Sequence, residues 1–140
     1  MNRRVPLDCP IEDFAQYDRF YTLDWARDLR VIFPFLETQN KLSPYALHYY
    51  LWRLSFSFGQ TYSQLSLSYE DLTANFEQTF GTLLADLGIE GVDLTPLTRM
   101  NRGPVPLRWP AYADDEWFGA IEAECERTLA IYFAGLRSRD

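Results

Sequence analysis

Lysine is almost missing from this chain. It occurs once, as Lys41, and every other cation among the 13 basic residues is an arginine. Cysteine occurs only as Cys9 and Cys125, and histidine only as His48. Two distant cysteines and one histidine make neither a metal-ligand spacing nor a disulfide framework, so no metal is expected. No apolar run reaches the roughly 20 residues of a membrane-spanning helix. The opening "MNRRVPLDCP" carries charge but no apolar core of a signal peptide, so the expectation is a cytoplasmic protein with no membrane partner. Basic residues are also outnumbered, 13 against 20 acidic ones, for a net charge of −7. Nucleic acid is therefore not an expected partner, because neutralising phosphates needs clustered Lys and Arg.

Aromatic residues are plentiful, with 10 Phe, 9 Tyr and 4 Trp in 140 residues. Side chains of that size need much buried area or a partner surface. The length suits a single domain, 1–140, able to bury a core.

Helical spacing dominates the chain. After a loose arm with Pro6 and Pro10, the residues Ile11, Phe14, Tyr17 or Asp18, and Tyr21 recur at helical intervals. A second segment starts near Thr22 or Asp24 and aligns Trp25, Leu29, Ile32 and Phe33, with Pro34 as terminator or kink. The stretch "RVIFPF" fits a short strand equally well. "SPYALHYYLWRLSFSFG" predicts a helix with Ser43 as N-cap, Pro44 in the first turn, Gly59 as the stop, and a stripe of Leu47, Leu51, Leu54 and Phe58. A helix starting near Asn75, with Gln78 as its capping partner, carries Phe76, Phe80, Leu83, Leu84 and Leu87 and ends at Gly88. Residues 91–113, with four prolines, read as an irregular loop. Asp114 or Asp115 caps a long last helix whose inner face carries Phe118, Ile121, Cys125, Leu129, Tyr132 and Leu136, with Cys125 as a core thiol.

One stretch departs from that period. "QLSLSY" alternates, with Leu65, Leu67 and Tyr69 on one side and Ser66 and Ser68 on the other, and predicts one short strand near 64–69. The expected fold class is thus mainly α with a single strand, which must pair with something, because a lone strand leaves its backbone donors and acceptors unmet.

That strand runs into Tyr69-Glu70-Asp71-Leu72, a helix ending in Leu87-Gly88-Ile89 follows, and then comes "MNRGPVPLRWPAYADDEWF" before an amphipathic helix. The order resembles the C-terminal part of the sulfotransferase family over roughly residues 43–133. Those enzymes transfer a sulfonate from 3′-phosphoadenosine-5′-phosphosulfate to a hydroxyl or amine. The resemblance implies the mostly helical C-terminal portion of an α/β P-loop-type fold. It also implies a loop that helps hold the 3′-phosphate end of the donor. Arg102 matches the loop's second basic position, Gly103 its glycine, and Trp109 its tryptophan, one residue later than the commoner spacing. Asn101 replaces the first basic residue, and Arg108, without a firm counterpart, stands ready to compensate. Such a loop suits an anion: glycine lets the backbone approach, successive N–H groups form a concavity, and a guanidinium adds charge-assisted bonds. The solvated-loop alternative leaves Arg102 and Arg108 as ordinary surface cations.

In the family the Glu70-Asp71 corner is architectural, capping the following helix. His48 reads as a packed helix-face residue, with general-base work as the minor alternative. The family's catalytic machinery is N-terminal, and the chain has no glycine phosphate loop. No catalytic residue is therefore assigned. The expectation is a truncated or fragmentary segment, inactive alone, that self-associates or pairs with a missing N-terminal half. Two other readings compete: a non-catalytic helical interaction protein that self-associates, and an unrelated small all-α binding domain with an apolar pocket.

Overall fold

The computed structural model describes residues 4–37, 42–104 and 109–137; side chains are described up to 135. Its α-helices are α1 (Thr22–Leu29), α2 (Pro44–Tyr62), α3 (Tyr69–Ala74), α4 (Phe76–Asp86), α5 (Thr95–Met100) and α6 (Asp115–Arg137). Short 3-10 turns lie at Ile11–Gln16, Pro34–Leu36 and Trp109–Ala111. The fold is mainly helical, as the periodicity predicts. Among the described residues there is no strand, and no helix is long and apolar enough to cross a membrane. The chain divides into two compact units, one of residues 1–57 with 108–140 and one of residues 58–107.

The first unit holds the core. Leu36, Leu47 and Cys125 are its most deeply buried large side chains. Around them pack Ile11, Phe14, Ala26, Phe33, Tyr50, Leu51, Leu54 and Leu129. Ser43 caps α2 as predicted, its hydroxyl accepting from the Ala46 N–H at 3.1 Å. Leu47, Leu51 and Leu54 are buried, but Phe58 is 53% exposed because the helix outruns the core. Gly59 does not stop α2, which continues to Tyr62. Nothing requires a left-handed turn there, and a glycine in a helix only weakens it.

α1 begins at Thr22, one of the two expected starts, and ends at Leu29, before Pro34. Its inward residues are Thr22 and Ala26, while Trp25 and Ile32 are exposed and Phe33 is buried from the following turn. Asp18 organises its start. The carboxylate accepts from Thr22 N–H at 3.0 Å, Leu23 N–H at 2.8 Å and Phe20 N–H at 3.2 Å. Burial works to raise the Asp18 pKa, but these backbone donors outweigh it and hold the carboxyl below its ordinary range.

α2 and α6 run in the same direction. The Tyr45 hydroxyl donates to Glu122 and the Tyr49 hydroxyl to Glu126. Both pairs are 77 residues apart, so the register is constant along the seam. Further along, Leu54 and Ser57 line one hollow with Leu129, Phe133 and Ala134. Phe35 packs on Tyr50 at 4.9 Å between ring centres and meets Tyr132 edge-on at 5.2 Å, closing the core beside the seam. Asp114 caps α6 by accepting from the Trp117 N–H at 2.8 Å.

The second unit joins α3, α4 and α5, and none of its described residues is buried. The predicted strand at 64–69 is not formed. Leu65–Ser68 is irregular, and Tyr69 is already the first residue of α3. The reason is the missing partner: without a neighbouring strand the ladder cannot form, whereas the local helix satisfies its own backbone. Ser68 makes that choice easy, since its hydroxyl accepts from the Asp71 N–H at 3.2 Å and caps α3. Asn75 precedes α4 but makes no side-chain cap bond. Gly88 ends α4 as expected, with φ +69° and a bond from Ile89 N–H to Leu84 carbonyl of 2.8 Å. The loop predicted over 91–113 contains α5, which Pro96 opens in its first turn.

Candidate functional site

Arg102 and Gly103 follow α5 in the second unit. Asn101 anchors this turn: its side-chain N–H donates to the Thr73 carbonyl at 3.1 Å, and its side-chain oxygen accepts from Gly103 N–H at 3.0 Å. Gly103 has φ +72°, the left-handed backbone that favours glycine. Arg102 is exposed. The residue that departs from the family pattern, Asn101, thus closes the turn with an amide and occupies the glycine N–H that an anion would use. Trp109 belongs to the first unit, where its ring meets Phe118 edge-on with centres 5.8 Å apart. Arg108 lies outside the described residues.

The Glu70-Asp71 corner is the first turn of α3, where carboxylates favour the positive end of the helix. Glu70 also accepts from the Ser68 hydroxyl at 3.0 Å. His48 is exposed on α2 rather than packed, lying roughly a quarter-turn around the helix from the Leu47, Leu51 and Leu54 stripe. Cys125 is buried, as expected of a core thiol, and burial raises its pKa and that of Cys9.

The densest polar arrangement was not singled out by motif. It is the α2–α6 seam. Glu126 accepts from the Tyr49 hydroxyl at 2.8 Å and from Arg53 at 2.5 Å. The Arg53 bond lowers the Glu126 pKa against the opposing effect of burial. Burial, with the bond to Glu126, pushes the Tyr49 phenol up to about 12, and Tyr45 beside Glu122 is raised as well. The available signal was spacing: Tyr45 and Tyr49 on one helix and Glu122 and Glu126 on the other repeat every four residues. These groups are paired with one another, and the pairs hold the two helices in register.

Among the described residues, large exposed apolar side chains occur equally in both units, ten in each, but the second unit is the smaller and buries none of its own. In the second unit Phe58, Tyr62, Leu65, Leu67, Tyr69, Leu87, Ile89, Val92, Leu97 and Met100 are exposed, led by Tyr62 at 76% and Met100 at 75%. No group of His, Cys, Asp and Glu among the described residues is arranged to hold a metal ion. Comparison with protein-family models, with curated proteins and with solved structures finds no match to this chain.

Proposed function

We propose that the chain is a non-catalytic helical interaction protein that associates with a second copy of itself. The observation that carries this reading is the second unit, which presents large apolar side chains and buries none of its described residues. Apolar surface on that scale is characteristic of an interaction face. The irregular Leu65–Ser68 segment adds an alternating Leu-Ser pattern that a partner could complete as a ladder. Sedimentation velocity across a hundredfold concentration range is expected to show a dimer or larger species, and Leu67→Asp with Tyr62→Asp is expected to shift it to monomer. A single compact monomer at every concentration overturns the reading.

A second reading rests on the motif order and on Arg102 exposed beside the left-handed Gly103. It takes the chain as a sulfotransferase-family segment whose parent enzyme uses 3′-phosphoadenosine-5′-phosphosulfate. The described residues do not fit the whole donor. Gly103 N–H is already bonded to Asn101, and no glycine phosphate loop is present to hold the transferred group. This chain alone is then inactive, and affinity for adenosine 3′,5′-bisphosphate is millimolar or absent, since charge-assisted bonds of about 1.5–3 kcal/mol each are offset by the entropy of association. Calorimetric titration of wild type and Arg102→Ala tests it. Micromolar binding unaffected by the substitution removes Arg102 from any site, and turnover by the chain alone overturns the inactive-segment reading.

A further inference from the structure

A pocket of about 430 Å³ lies wholly within the first unit, lined by Tyr45, Trp109, Asp115, Phe118, Gly119 and Glu122. Three of its six lining residues are aromatic and two are carboxylic acids. The rings support one another, Tyr45 against Phe118 at 4.9 Å and Trp109 against Phe118 at 5.8 Å, both edge-on. The Tyr45 hydroxyl is committed, donating to one Glu122 oxygen at 2.5 Å, which fixes both the phenol ring and the carboxylate. None of the described lining residues is a cation. Arg4 reaches the same turn from outside the lining, donating to the Ala111 carbonyl at 3.1 Å.

We infer that this pocket binds a small quaternary ammonium ion. Aromatic faces attract a cation through their quadrupoles, most strongly when water is displaced. A trimethylammonium head has no N–H to satisfy, so it gains from ring faces and from nearby negative charge without needing directed acceptors. Asp115 and Glu122 supply the charge, and their like sign disfavours a phosphate or sulfonate beside Trp109. The volume falls in the range of about 300–1,000 Å³ usual for small-molecule sites. Gly119 leaves room on the helical wall, since a Cβ built there meets nothing within 4 Å. The site does not rest on self-association, because none of its described lining belongs to the second unit.

The test compares choline with its neutral isostere 3,3-dimethyl-1-butanol on the full chain. Binding is followed through the Trp109 indole N–H resonance, assigned with Trp109→Phe. Choline is expected to bind about fivefold or more tightly than the alcohol. Glu122→Gln, which keeps an acceptor for Tyr45 but removes the charge, is expected to weaken choline severalfold and leave the alcohol unchanged. Gly119→Leu, directed into open space on an exposed helical position, is expected to abolish the choline shift while circular dichroism and the thermal midpoint stay as in wild type. Equal binding of choline and the alcohol, absence of choline binding, or choline binding that survives Gly119→Leu overturns the assignment.

Discussion

Asp18 shows how much one carboxylate can organise. Tyr21, the residue before α1, sits at φ +57°, a left-handed conformation that costs a non-glycine residue free energy. Three backbone N–H groups converging on Asp18 hold the chain in that approach and satisfy the donors at the helix start. Asp18→Ala is expected to destabilise the protein by about 1 kcal/mol, the usual cost of losing such a cap. The effect depends on pH in a defined direction. The folded-state pKa is depressed, so the carboxylate's contribution is present above the unfolded value of about 3.9 and disappears as pH falls through the lower folded value. Urea titrations of wild type and Asp18→Ala at pH 7 and pH 2.5 check this: the difference in midpoint is expected to narrow at the acid end. Asp18 was legible in sequence as one of two residues that continue a helical spacing, but not as a cap. Its donors lie up to five residues downstream, across a backbone reversal that periodicity does not register.

At the level of elements, α2 and α6 were predictable and their pairing was not. Ser43, Pro44 and the leucine stripe mark α2, and Asp114 marks the start of α6, because caps and stripes are local. Which helix faces which is decided by contacts 77 residues apart. The seam carries its own signature at alkaline pH. The Tyr49 pKa is raised to about 12, so its contribution is complete below the unfolded value of about 10 and is lost as pH rises towards 12. Thermal unfolding followed from pH 8 to pH 11.5 is expected to show a decline beginning above pH 10, and Tyr49→Phe is expected to shallow it. A profile identical in the two proteins would remove Tyr49 from the account. The lone alternating run failed as a strand for the complementary reason. Its residues have the right side-chain pattern, but a strand is a relation between two segments, and none of the described residues offers the second.

For the whole molecule, the contrast is between a unit that owns a core and a unit that does not. Aromatic abundance was readable as a demand for burial, yet composition does not say where the demand goes unmet. The candidate anion loop was readable only as residue types in order; the side chain of Asn101, which takes up the Gly103 N–H, is a matter of conformation. Local stability should follow the cores. Amide hydrogen exchange is expected to be slowest in α2 from Ala46 to Leu54 and in α6 around Cys125 and Leu129. Exchange in α3, α4 and α5 is expected to be fast in dilute solution and to slow as concentration rises and association covers the unit. Uniform protection along the chain, independent of concentration, would contradict both the division and the proposed self-association.

The parallel alignment of α2 and α6 also sets a tempo. Two antiparallel helices joined by a short turn can meet almost as soon as they form, but this pair must first close a loop of some 77 residues. Relative to a turn of about four residues, that closure costs roughly 2–3 kcal/mol of chain entropy before the first tyrosine–glutamate bond repays any of it. Helix should therefore appear early in refolding and the locked tyrosine rings late, with the delay set by how quickly residues 58–107 let the chain find its way back.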